Sequence, residues 1–228
     1  MEYIICFIGI LIMLGIVYIL MGTRIKELKR LKNKPEYDAI TAKLADNMTL
    51  GKLILTKLGN QHTIIEETND LQTLYIAISD KITVSKEEKN YTRVQTLVHE
   101  CIHSIQPRKI LLFHFIFGNI YFLSIFVVSI LTIFHMIPNK ILTFNILLIM
   151  AILFFTVKIY LELDAMTRAP FITEKILKEN ESISEEEKRK LQKGYQEVNK
   201  IAVPYSVFVM LFNVCIPIAI YLLIEGIV

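Results

Sequence analysis

The chain has 228 residues, 54% of them hydrophobic and only 21% charged, with a mean hydropathy of +0.49. That balance is too apolar for a water-soluble globule of this size and marks an integral membrane protein. The net charge of +3 is small and mixed with acids, and no basic stripe with interleaved aromatics occurs, so nucleic acid is excluded as a partner. Three cysteines, Cys6, Cys101 and Cys215, write no disulfide framework, and a reducing compartment suits Cys101.

Charges vanish from four windows, 3–23, 110–139, 141–157 and 201–224, each long enough to cross hydrocarbon. They predict four transmembrane helices over 3–23, 110–137, 141–160 and 204–224, separated by polar segments 24–109 and 161–203. The first window lacks a positive n-region and an A-x-A-like cleavage site, so it reads as an anchor and not as a cleaved signal. Arg24, Lys26, Lys29, Arg30, Lys32 and Lys34 follow it directly, which places that flank in the cytoplasm and the N-terminus outside. Threading the remaining spans puts a tight turn at Pro138-Asn139-Lys140 outside, the second polar segment in the cytoplasm, and the C-terminus outside. Of 25 Lys and Arg residues, only Lys140 then lies outside. The basic residues of the second segment played no part in setting the orientation, so they check it independently.

Within the first polar segment, Pro35 opens a helical stretch with Tyr37, Ile40, Leu44 and Met48 on one face. A second helix, capped by Thr49, carries Leu50, Leu53, Ile54 and Leu58 and stops at Gly59-Asn60. Strand signals follow at 62–65 and 74–78, with a turn at Ser79-Asp80-Lys81 leading into Ile82-Thr83-Val84. The strand at 74–78 reads equally as an interior strand or as an edge open to an extended peptide. A helix over 91–106, stopped by Pro107, completes a small α+β unit. In the second polar segment Ser184 and Glu187 have capping-box spacing.

The helix over 91–106 contains His99-Glu100-Cys101-Ile102-His103, an H-E-x-x-H pattern. Residues four apart share a helix face, so the two imidazoles can converge on one metal ion while Glu100 is placed to take a proton from a water activated there. The bland reading is an amphipathic helix before a span, its His and Glu merely solvated. His62, His114 and His135 read as packed or headgroup-level residues. A catalytic zinc site needs a third protein ligand, and topology restricts it to the cytoplasmic side. Glu162 emerges there directly after the third span, either as that ligand or as an interfacial carboxylate paired with Lys158 or Arg168. Tyr160 and Tyr195 are candidates for oxyanion stabilisation.

These residues carry a resemblance. The segment VHECIHSIQ at 98–106 resembles the H-E-x-G-H-x-x-Q signature of bacterial membrane neutral zinc metallopeptidases of the YugP type. ELDAMTRA at 162–169 is similar to that family's E-F-D-A-S-x-R-A, and SISEEEKRKLQKGYQEVNK at 182–200 resembles its downstream helix. The likeness extends over nearly the whole chain and, more distantly, to CAAX prenyl endopeptidases and HtpX-type proteases. It implies an α-helical integral membrane protein whose cytoplasmic α+β unit is zincin-like. It further implies one Zn2+ per chain held by His99, His103 and Glu162, with Glu100 as catalytic acid and base, and it leaves Gln106, Asp164 and Arg168 as signature residues without roles. The family's glycine is Ile102 here, a β-branched residue on the metal helix.

The implied activity is zinc-dependent hydrolysis of peptide bonds in peptides or membrane proteins at the cytoplasmic face of the bilayer. No charge interrupts 110–139, which argues against an ion path and so against a transporter. The rival reading is a catalytically silent membrane scaffold or interaction protein that retains the motif.

Overall fold

The computed structural model describes residues 2–21, 24–86 and 89–228. Among them are eight helices: α1 (Glu2–Leu20), α2 (Ile25–Lys32), α3 (Pro35–Thr41), α4 (Asn47–Lys57), α5 (Arg93–His103), α6 (Arg108–Ile133), α7 (Lys140–Lys178) and α8 (Glu185–Ile227). Three strands, β1 (Ile64–Thr68), β2 (Leu74–Ile76) and β3 (Lys81–Ser85), lie between α4 and α5. The chain divides into two compact units, one of residues 1–23, 113–160 and 204–228, the other of residues 24–112 and 161–203.

The first unit is built from α1 and the apolar parts of α6, α7 and α8. Helices α1, α6, α7 and α8 are each long and apolar enough to cross a membrane. Tyr121, Leu147, Ala151, Phe154, Val214 and Leu222 form its core, and the Tyr121 hydroxyl donates to the Val214 carbonyl at 2.9 Å. Gly118 lets α6 approach α7 closely, since a Cβ there would stand 2.7 Å from the Phe154 ring. Outside that core the helices present Ile5, Ile19, Leu123, Phe126, Ile149 and Ile152 to their surroundings. Asn139 caps α7, its side-chain oxygen accepting from the Leu142 N–H at 2.9 Å, so the expected turn at 138–140 is present. Lys140 pairs with Glu225, whose side chain is buried.

The second unit packs a small sheet against α4 and α5. Its strand order is β1-β3-β2, with β1 parallel and β2 antiparallel to β3, so β2 is an edge strand. Ile82 and Val84 point from β3 into a core with Ile54, Val94, Val98 and Ile102, all essentially inaccessible. Gly51 on α4 admits Ile65 of β1, whose side chain would collide with any Cβ at that position. The chain turns out of α4 at Gly59, whose φ of 71° is the left-handed conformation glycine adopts freely. Asp80, at φ 49°, makes the turn into β3 and is held there by the hydroxyls of Thr63 and Tyr75.

Several expectations need correcting. Helix α4 begins at Asn47 and is capped by Asp46, which accepts from the Thr49 N–H at 2.8 Å; Thr49 is the capped residue and not the cap. Leu44 lies between the two helices and Met48 belongs to α4, because α3 stops at Thr41 and α4 starts only at Asn47. The first strand lies at 64–68, not 62–65: Asn60 accepts from the His62 and Thr63 N–H groups and delays the extended segment. The basic stretch after α1, read only as a charge signal, is the helix α2, with Leu28 and Leu31 buried. The spans expected at 141–160 and 204–224 are parts of longer continuous helices, α7 and α8. Loss of charge marks where a helix becomes apolar and not where it starts; α8 runs on through Pro204 although that residue has no N–H to donate. The capping box is as expected: the Ser184 N–H donates to Glu187 at 2.9 Å, and the Glu187 N–H returns to the Ser184 hydroxyl at 3.3 Å.

Candidate metal centre

The centre is assembled from α5 and α7, within the second unit. Helix α5 buries Val94, Leu97, Val98, Cys101 and Ile102 on one side. The opposite side is thereby left to His99 and His103, one turn apart. Their rings meet edge to face with centroids 4.7 Å apart. His99 Nε2 lies 3.1 Å from His103 Nε2 and 3.3 Å from Glu162 Oε2, and His103 Nε2 lies 3.9 Å from the same carboxylate oxygen. The three donors form a group that could hold a metal ion.

The separations suit a small metal ion held by all three donors. Four ligands at about 2.0–2.1 Å in a tetrahedron are separated by about 3.3–3.4 Å, and the observed separations bracket that value. The protonation pattern is set by Gln106. Its amide nitrogen donates to the Leu161 carbonyl at 2.8 Å and to Asp164 at 2.9 Å, so its Oε1 must face His103 Nδ1, at 2.8 Å. His103 Nδ1 therefore donates to Gln106, and Nε2 is the ring nitrogen turned toward His99 and Glu162.

Gln106 reaches that position because α5 ends at His103. The next turn tightens, with the Ile105 N–H bonded to Ile102 and the Gln106 N–H to His103. These i to i+3 bonds bring Gln106 beneath the imidazole it holds. Asp164 also accepts from Arg168 at 3.2 Å. The three signature residues without roles thus form a chain from His103 through Gln106 and Asp164 to Arg168. Arg168 pairs with Asp164 and not with Glu162, which faces the two histidines.

Glu100 lies outside the donor group. Its Oε2 accepts the backbone N–H of Tyr75, on the edge strand β2, at 2.8 Å. The strand is an edge strand, as one of its two readings had it, and at this edge the Tyr75 N–H is taken by the Glu100 carboxylate. The periodicity of β2 could not reveal that contact, since it is made by backbone.

The remaining candidates separate from the centre. The Tyr195 hydroxyl is buried and donates to the Tyr91 carbonyl at 2.9 Å, so it is not available to an oxyanion; burial also pushes it far up from the usual tyrosine range. Tyr160 belongs to the other unit and is exposed. Ile102 is fully buried in the core and not beside the histidines' open side. Cys101 is buried too, and its thiol is pushed far up by desolvation and then by the Glu100 charge, so it is an inert packing residue. Helix α5 is held from α8 by a reciprocal amide pair, Gln95 to Asn199 at 2.7 Å and back at 3.3 Å.

No protein-family model, curated protein or solved structure matches this chain.

Proposed function

We propose that this chain is a zinc metallopeptidase embedded in the membrane by α1, α6, α7 and α8, hydrolysing peptide bonds at the cytoplasmic surface. The observation that supports it is the convergence of His99 Nε2, His103 Nε2 and Glu162 Oε2 to within 3.9 Å of one another, with Glu100 outside the donor group and bonded to the Tyr75 N–H. The resemblance of 98–106 and 162–169 to membrane neutral zinc metallopeptidases assigns the same four residues.

In this reading His99, His103 and Glu162 hold the ion, which when bound supplies Lewis acidity toward water and the scissile carbonyl. Glu100 takes the proton from the attacking water and delivers one to the departing amine nitrogen. The Tyr75 N–H fixes the carboxylate through one of its oxygens. Glu162 follows the apolar run 141–160 directly and His103 shortly precedes that of 110–137, so substrates are met close to the bilayer. Membrane-protein segments and peptides near the surface are the substrate class.

The test uses the full chain purified in detergent, with metal measured by mass spectrometry and cleavage followed on fluorogenic peptides and solubilised membrane proteins. Glu162→Ala, His99→Ala and His103→Ala should lose the metal, and the double histidine variant should lose no more activity than either single one. Glu100→Gln should keep stoichiometric zinc and lose hydrolysis. Turnover by Glu100→Gln at the parental rate, or zinc retained by Glu162→Ala, would overturn the assignment. A zinc-loaded chain that cleaves nothing would favour the silent scaffold.

A further inference from the structure

A second recess in the residue 24–112 and 161–203 unit is lined by Arg24, Glu27, Arg30, Leu31, Glu197, Lys200 and Ile201, with a volume of about 380 Å³. It lies between α2 and the part of α8 where the apolar run begins. Its two carboxylates are already engaged. Glu27 is 3.2 Å from Arg24 and Glu197 is 2.9 Å from Lys34. Hydrogen bonding and charge from Lys34 also hold the Glu197 carboxyl below its ordinary range, so it stays ionised and paired. Among the described residues, no carboxylate lies within ion-pairing distance of Arg30 or Lys200. The recess thus sets three cations, Arg24, Arg30 and Lys200, against two carboxylates, and among the described residues only Arg24 of the three is in an ion pair.

Its position in the chain narrows what can answer that charge. Arg24 stands just after the apolar helix α1, and Ile201 opens the apolar run of α8. The lining therefore offers donors for an anion, from Arg24, Arg30 and Lys200, together with the apolar side chains of Leu31 and Ile201. A guanidinium pair with an ammonium suits a phosphate, which accepts bidentate hydrogen bonds from arginine. A phosphate joined to an acyl chain uses both kinds of lining at once.

We propose that this recess binds the headgroup phosphate of an anionic phospholipid, held by Arg24, Arg30 and Lys200. The site goes beyond the peptidase reading and does not depend on the metal centre; it rests on α1 and α8 lying in a bilayer. It fastens α2, and with it the start of the metal-bearing unit, to the lipid surface at a defined point and not merely through diffuse attraction to the basic segment.

The test titrates the full-length chain in a nonionic detergent with phosphatidylglycerol and, separately, phosphatidylcholine, reading bound lipid by native mass spectrometry. Phosphatidylglycerol should be retained and phosphatidylcholine should not. R30Q/K200Q should weaken phosphatidylglycerol binding by about tenfold or more, whereas K26Q/K29Q, which removes the same charge from the exposed side of α2, should stay within about twofold. Should the double variant melt before the parent, R30Q and K200Q separately carry the test, each weakening binding by about threefold or more. Equal losses in the two double variants would reduce the site to diffuse charge and overturn it. Equal retention of both lipids would overturn it as well. An inorganic phosphate arm separates the sources: displacement of phosphatidylglycerol by free phosphate at matching concentration would show a soluble phosphate site and overturn the lipid assignment.

Discussion

Gln106 joins the two halves of the metal centre: its Oε1 lies 2.8 Å from His103 Nδ1, while its amide nitrogen lies 2.9 Å from Asp164, two residues beyond Glu162. It therefore fixes the tautomer of one donor and the register of the helix that carries another. Gln106→Leu should leave the His103 Nδ1–H, the Leu161 carbonyl and the Asp164 carboxylate without that partner. Metal affinity should fall by about 10–100-fold, the usual cost of losing such outer contacts. Competition with a chelating dye measures it, and an unchanged affinity would remove the positioning role. The effect should appear in affinity whether or not a substrate is known.

Arg93 holds the turn between α3 and α4. Its guanidinium is buried, donating to the Thr41 carbonyl at 2.7 Å, to the Ala45 carbonyl at 3.0 Å and to the Asn47 side chain. Arg93→Met keeps volume but leaves two carbonyls short of donors inside the protein. The expected cost is about 3 kcal/mol, read as a lowered midpoint of thermal or denaturant unfolding of the full chain. A change within error would mean that water replaces the guanidinium.

Much of this arrangement is legible in the sequence. The spacing of His99 and His103 follows from helix geometry alone, and Glu162 was reachable because a charge directly after an apolar run has a defined place. The small sheet was legible from β-branched runs, the start of α8 from the Ser184 and Glu187 spacing. What stayed hidden depends on tertiary contact. Glu100 is held by the backbone N–H of Tyr75, which no side-chain pattern encodes. Gln106 sits three residues after His103, a spacing compatible with contact, but its second partner, Asp164, lies 58 residues further on. Tyr195 has the residue type for an oxyanion, and only its burial against Tyr91 shows that it packs instead. The ends of α7 and α8 were missed because hydropathy reports the solvent a helix meets and not where its hydrogen bonds stop.

Asp46 should show its role through pH. Its side chain accepts both the N–H and the hydroxyl of Thr49, at 2.8 Å each, and these bonds hold its carboxyl below the ordinary value. A carboxyl depressed on folding stabilises the native state above its unfolded pKa, about 3.9, and that contribution fades as pH falls through the lower folded value. Asp46→Ala should therefore cost about 1 kcal/mol near neutrality. The gap between parent and variant should narrow on acidification below that ordinary value, as followed by unfolding midpoints across a pH series. A constant gap would assign the loss to packing of the side chain and not to its charge.

The orientation read from the Lys and Arg distribution gives the last prediction. Only Lys140, among 25 such residues, belongs to the short 138–140 turn, and that lysine is paired with the buried Glu225. The positively charged flanks stay on the side where translocation leaves them, so the turn should face outside, and Lys190, on the polar part of α8, inside. In a background with Cys6, Cys101 and Cys215 replaced by Ala, a cysteine substituted at Asn139 should react with an impermeant thiol reagent added to intact cells. One substituted at Lys190 should react only after the cells are opened. Asn139 caps α7, so its replacement should cost about 1 kcal/mol without altering the topology. Reaction at Lys190 in intact cells would invert the orientation. Because Glu162 shares the polar segment of Lys190, and the segment with His99 and His103 lies on the same side in this threading, it would move the metal centre, and the peptides it can meet, to the outer face.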